Sequence, residues 1–194
     1  MPTQRPGWGF GDGPAAPTGN AAPSKAARQR QSELDAEDRA NLPVRVDDAF
    51  AGNPNASVSV GYDLTAGTVV RRNDEEAARW FYLAASQGHP DAFIQLGYRY
   101  SHGIGVPQND ETAAYWYRAG ADHGDKGAMV ALGLIYAAGR GVRQDWSAAV
   151  RWWQRAGDVG LAARFLGDAY ACGLGGEQDN QRAVSAYRRS VETG

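Results

Sequence analysis

Apolar and small residues along the C-terminal three quarters of the chain fall at helical spacing. At about 100° per residue, Ala92, Phe93, Leu96, Gly97 and Tyr100 form one stripe roughly 140° wide, which predicts an amphipathic helix, termed helix A. Gly103 and Gly105 follow and predict its stop, because glycine accepts the left-handed backbone of a helix C-terminus. A second run, Ala113, Trp116, Tyr117, Gly120 and Ala121, sits at i, i+3, i+4, i+7 and i+8 and predicts helix B. Asp110 stands just ahead of it, as Asp74, Asp145 and Asp179 do elsewhere, where a carboxylate can accept the free amide protons of a starting helix.

The unit repeats. Leu96-Gly97 returns as Leu132-Gly133 thirty-six residues on and as Leu166-Gly167 thirty-four further. Each Leu has alanine four before it (Ala92, Ala128, Ala162), tyrosine four after it (Tyr100, Tyr136, Tyr170) and a G-x-G seven after it. Twenty residues on come Trp116-Tyr117, Trp152-Trp153 and Ala186-Tyr187. A weaker copy lies upstream, with Val60-Gly61, Gly67, Ala77, Trp80-Phe81 and Gly88 at the same offsets, Leu64 in the tyrosine place and Val69 in that of the second glycine. In this copy Val58, Val60, Tyr62 and Leu64 also alternate with period two, which fits a strand; the repeat favours a helix. The step from Gly160 to Leu166 is six residues where earlier copies have eight, so the last repeat is expected to be rotated or shifted.

The skeleton A-x3-L-G-x2-Y-x2-G-x-G, an Asp, then A-x2-W-Y-x2-A-A-x2-G, resembles the Sel-one-like repeat (SLR), a relative of the tetratricopeptide repeat. The resemblance covers about residues 56–194, as repeats of about 56–89, 90–125, 126–160 and 161–194. It implies an all-α fold, a right-handed α-solenoid of antiparallel helix pairs, whose members scaffold protein assemblies, often in bacterial signalling, envelope or stress pathways. It brings no catalytic residue. Some SLR relatives are linked to penicillin binding or hydrolysis, but those are disulfide-rich, and this chain has the single Cys172.

Residues 1–32 hold almost no aliphatic side chains and read as a disordered tail. "GWGFG" at 7–11 offers two rings there. Residues 33–55 read as a linker or N-terminal cap, and the charged, helix-prone stretch 24–42 also suits a cap for the stack. The chain ends at Gly194 with no polar cap after the last repeat, which suggests a fragment or a last helix that packs on a partner. Twenty Lys plus Arg against twenty-two Asp plus Glu give a net charge of −2 without a single-sign block, so no footprint for nucleic acid or an anionic membrane is visible. No apolar run reaches the length of a signal peptide or of a spanning helix, so membrane insertion is not expected.

Candidate chemistry is sparse. Of the rings in "AAYWYRAGADHG", Trp116 and Tyr117 recur with the repeat and are assigned to the core; Tyr115 has Arg79, Arg151 and Ser185 as counterparts and is expected to face solvent. His89, His102 and His123 sit at turns or helix ends without an H-E-x-x-H or i, i+4 pair, so no metal is expected. Cys172 reads as a small filler, and no nucleophile stands in a known catalytic setting. The G-x-G pairs follow helices, and Gln108 and Gln144 occupy the third glycine's place, so no dinucleotide cofactor is implied. The expectation is a non-enzyme.

The resemblance implies that A helices line the concave side, so residues opposite the core stripe should form a groove. They are Asp91, Ile94, Tyr98 and Ser101, then Val130 and Leu134 beside Gly127 and Ala137, then Arg164 and Asp168 beside Leu161 and Ala171, with Tyr62 in the first copy. Ile94, Tyr98, Val130 and Leu134 would make an apolar patch with Arg164 and Asp168 at its polar end, suited to a peptide or helix of a partner protein. The alternatives are that residues 24–55 fold back and fill it, or that the domain is a structural spacer.

Overall fold

The computed structural model describes residues 45–67 and 70–193. The tail and the whole 24–42 stretch expected to cap the stack lie outside them, as do Val69 and Gly194. Among the described residues every regular element is a helix: α1 Arg45–Phe50, α2 Pro54–Ala66, α3 Asp74–Ser86, α4 Pro90–His102, α5 Asp110–Asp122, α6 Lys126–Ala138, α7 Trp146–Ala156, α8 Gly160–Cys172 and α9 Asn180–Glu192. From α2 onward they pair as A/B hairpins, α2/α3, α4/α5, α6/α7 and α8/α9, and each B helix packs on the next A helix. The result is an α-solenoid. α1 packs on α2, burying Val46 and Ala49, and sets Phe50 edge-on to Trp80 with ring centroids 5.1 Å apart.

The first copy is a helix. Val58, Gly61 and Leu64 lie three apart and are buried, and Asn53 caps the start by accepting from the Asn55 and Ala56 amides. Packing against α3 overrides the alternating pattern.

The glycine of each Leu-Gly pair is where two helices of one hairpin meet. A Cβ on Gly133 would lie 2.2 Å from Trp153 Nε1, and one on Gly97 2.7 Å from the Tyr117 ring. The second ring of each aromatic pair therefore lies over that glycine, which links positions twenty residues apart. Trp153 is buried and donates from Nε1 to the Val130 carbonyl at 3.2 Å. Trp116 and Tyr117 are buried as expected, but Tyr115 is half-buried, edge-on to Trp116 at 5.1 Å, and does not face solvent.

The helix-start expectation needs a correction at two of four positions. Asp145 and Asp179 cap α7 and α9, accepting from the amides of Ala148 and Arg182 at 2.8 and 2.9 Å. At α3 and α5 the capping side chain is the residue before the aspartate, Asn73 or Asn109, which accepts from Glu76 or Thr112. Asp74 and Asp110 then open the helix, and their carboxylates bind arginines: Arg72 at 2.9 Å and Arg99 at 3.6 Å for Asp74, Arg140 at 2.6 Å for Asp110.

The G-x-G glycines also divide their work. Gly103, Gly139 and Gly173 end the A helices at φ 66–69°. The second glycine instead lies against the first turn of the preceding repeat's B helix: a Cβ on Gly105 would stand 2.0 Å from the Asp74 carbonyl oxygen, and one on Gly141 2.2 Å from the Asp110 carbonyl carbon. It is an inter-repeat contact. Gln108 and Gln144 close these loops by donating to the Ser101 and Ala137 carbonyls.

The two-residue deletion in the last step is taken from the end of α7. α7 has 11 residues where the other B helices have 13, and the connection to the next A helix stays three residues long, here with Gly157 at φ 68° and ψ −117°.

Burial pushes the Tyr117 phenol above its usual value of 10.0, favouring the neutral form in the folded state. That contribution to stability is complete below pH 10 and is lost as pH rises through the higher folded value. Chemical unfolding measured from pH 8 to 11.5 should show stability falling at the alkaline end, less steeply for Tyr117→Phe (the pH range brackets the ordinary phenol value, about 10). An identical slope in the two proteins would show that Tyr117 does not titrate with folding.

Candidate interaction surface on the A helices

Position Leu+2 of helix A is occupied in successive repeats by Tyr62, Tyr98, Leu134 and Asp168. The three apolar members are exposed by 41%, 47% and 40%, although large apolar side chains on packed helices are usually covered. Tyr62 stands edge-on to Phe81 at 5.3 Å, and its hydroxyl accepts from Gln95 Nε2 at 3.3 Å. Burial, and after it the Asp91 carboxylate, raises the Tyr62 phenol, so this end of the row carries a neutral hydroxyl beside an exposed acid. Tyr98 lies on the His102 imidazole with ring centroids 4.2 Å apart.

Ile94 is half-buried and extends toward Gly127, where a Cβ would be 3.4 Å from its Cδ1. Arg164 and Asp168 are exposed, and Asp168 accepts a 2.7 Å hydrogen bond from the Tyr187 hydroxyl. Hydrogen bonding to this carboxylate raises the Tyr187 phenol.

Three expected members do not reach the surface. Val130 is 5% exposed, Ser101 6% and Ala137 8%. α6 is packed by α4 as well as by α5 and α7, so the buried arc of a central A helix is wider than its core stripe. Ser101 donates to the Tyr98 carbonyl at 2.9 Å and lies beneath the loop that Gln108 closes. The exposed apolar row is therefore Tyr62, Tyr98 and Leu134, flanked by Ile94, with Leu161 exposed by 48% on α8.

The histidines have local partners. His89 is half-buried and contacts Asn55 Oδ1 through Nε2 at 2.9 Å. His123 lies on the Phe93 ring at 4.8 Å, with Nδ1 2.8 Å from the Ala119 carbonyl. Cys172 is exposed at the end of α8 and fills no gap. Among the described residues no three His, Cys, Asp or Glu side chains come together to hold a metal ion, and no helix is long and apolar enough to cross a membrane.

The sequence reading missed an arginine cluster, because its members lie in different repeats. Arg118 of α5, Tyr136 of α6 and Arg151, Trp152 and Arg155 of α7 line one cavity of about 310 Å³.

The family profile of the Sel1 repeat matches residues 60–89, 90–125, 127–161 and 160–190. Among solved structures, the chain is similar to a Sel1 repeat protein from Oxalobacter formigenes, at 32% identity and a TM-score of 0.77, over 91% of this chain and 76% of that one. It is also similar to a protective antigen of uropathogenic Escherichia coli strains that displays an SLR fold, at 33% identity and a TM-score of 0.75. That match covers 77% of this chain and 32% of the antigen, so the chain spans about a third of the antigen's length. No curated protein sequence matches. Four matched repeats on a solenoid of paired helices place this chain in the Sel1 repeat family.

Proposed function

We propose that this repeat protein is a protein-interaction scaffold or adaptor that holds a peptide or helix of a partner protein along Tyr62, Tyr98 and Leu134. Ile94 flanks that row, Asp91 stands at one end, and Arg164 and Asp168 stand at the other. One observation carries the reading: three successive repeats present a large ring or leucine at the same A-helix position, exposed by 40% or more. Tyrosine suits such a role, joining a broad apolar face to a hydroxyl at little cost in side-chain entropy.

The partner can be captured by a photo-reactive side chain placed at position 98 of the full chain, and its affinity then measured. Tyr98→Ser with Leu134→Ser removes two central anchors and is expected to cost about 2 kcal/mol or more, roughly 30-fold in Kd, with the helical content unchanged. Unaltered affinity in the folded double variant would leave the domain as a structural spacer.

A further inference from the structure

We propose that the outer face of α9 is a docking site for an amphipathic helix of a partner protein, one whose apolar stripe is built from alanine or glycine. This face belongs to a B helix and lies apart from the row of Tyr62, Tyr98 and Leu134, which stands on A helices.

Three apolar residues carry it. Val184, Tyr187 and Val191 sit at i, i+3 and i+7 on one side of α9 and are exposed by 50%, 37% and 84%. One exposed apolar side chain is ordinary; three in register on one helix mark an interaction face. Elsewhere in the stack these places are covered. Their counterparts, Ala78, Phe81 and Ala85 on α3 and Ala114, Tyr117 and Ala121 on α5, are all buried. The next A helix supplies the cover, because each of these B helices packs on it. At the first joint Arg99 of α4 lies over Phe81 at 4.9 Å, and at the third Phe165 of α8 packs on Trp153, the counterpart of Tyr187, at 5.2 Å. The α9 face therefore continues an interface that joins the earlier repeats, and among the described residues no helix supplies its other half. It also keeps the room for a close approach. Ser190 stands in the place of Gly120, where a Cβ would lie 2.9 Å from Ala128 of the next A helix, and its hydroxyl is already satisfied by the Tyr187 carbonyl at 2.7 Å.

Side-chain size selects the occupant. Val184 and Val191 replace the alanines of α3 and α5, so a helix that comes equally near must carry smaller residues. The third joint already pairs the sizes in this way. α7 has Val150 in the place of Val184, and α8, the helix that packs on α7, has Ala163 where α4 and α6 have Phe93 and Met129. Ala162, Ala163 and Ala169 of α8 are all buried. A second copy of the chain has no such helix to offer, since α4, α6 and α8 are enclosed in its own stack and α2 is covered by α1.

The probe is a fluorescein-labelled, lactam-bridged peptide with the α8 sequence, residues 160–172, carrying Cys172→Ala, titrated with the full chain and read by anisotropy. Saturable binding is expected. Val191→Asp changes the most exposed residue of the stripe, so the fold is retained, and it is expected to weaken the peptide about tenfold or more. A bridged peptide with the α4 sequence, residues 90–102, brings Phe93 to the alanine place and is expected to bind about fivefold more weakly or worse. Tyr98→Ser with Leu134→Ser should leave the α8 peptide's affinity unchanged, so this face and the A-helix row can fail separately. No binding at millimolar peptide, or binding that Val191→Asp leaves intact, would overturn the site. Equal affinity for the two peptides would overturn the small-residue occupant. In sedimentation equilibrium, a dimer of the chain that Val191→Asp dissolves would give the face to a second copy and overturn the partner-helix assignment.

Discussion

Gly105→Ala is expected to remove about 2–5 kcal/mol of stability, or to uncouple the first repeat from the second. The left-handed backbone there, φ 71°, costs a non-glycine residue about 1–2 kcal/mol. The added Cβ must also displace backbone, since it would stand 2.0 Å from the Asp74 carbonyl oxygen and 2.7 Å from the Glu75 nitrogen. Forced overpacking adds about 1–3 kcal/mol. A solenoid is held by nearest-neighbour interfaces, so the damage falls on the joint between α3 and the loop after α4, and the urea transition should broaden or split. Gly124 provides the control. Its φ is 89° with nothing within 4 Å of a Cβ, so Gly124→Ala should cost only the backbone term, about 1–2 kcal/mol. Equal losses in the two variants would mean that the close approach at Gly105 contributes nothing.

Arg99→Ala is expected to cost about 2–4 kcal/mol, toward the lower part of the range for a broken buried pair because Asp74 retains solvent contact and Arg72. Arg99 is only 2% exposed. Its guanidinium lies over the Phe81 ring at 4.9 Å and donates to the Asp74 carbonyl at 3.2 Å and to the Thr65 hydroxyl. It thus ties α4 to both helices of the first repeat. Burial draws this guanidinium below the usual arginine value, and the Asp74 carboxylate opposes the shift. At the equivalent positions Ile135 and Ala169 are buried, so the volume can be filled by apolar atoms. Arg99→Met retains most of that volume and should fall between the wild type and Arg99→Ala in urea unfolding. If Arg99→Met is as stable as the wild type, packing and not the polar clamp is what Arg99 supplies.

Most of the architecture was legible in the sequence. The Leu, Gly, Tyr and ring offsets marked four hairpins, and the helical phase assigned Trp116, Tyr117, Leu96 and Leu132 to the core, where they are buried. The exposed positions Tyr62, Tyr98 and Leu134 were also found by phase alone. Val130 and Ser101 were misplaced because phase describes one helix, whereas α6 is packed by α4, α5 and α7, and α4 by α3, α5 and α6.

The chain's own periodicity determined which residues form helices, where they stop and which stripe each buries, because those outcomes depend on contacts within a hairpin. Only the tertiary structure decided which glycine supports the neighbouring repeat, that Arg99 reaches Thr65 thirty-four residues away, and that Arg118 stacks on Trp152. These contacts depend on how one hairpin is turned against the next. That rotation is set by the summed packing of side chains from separate repeats, and no local spacing encodes it.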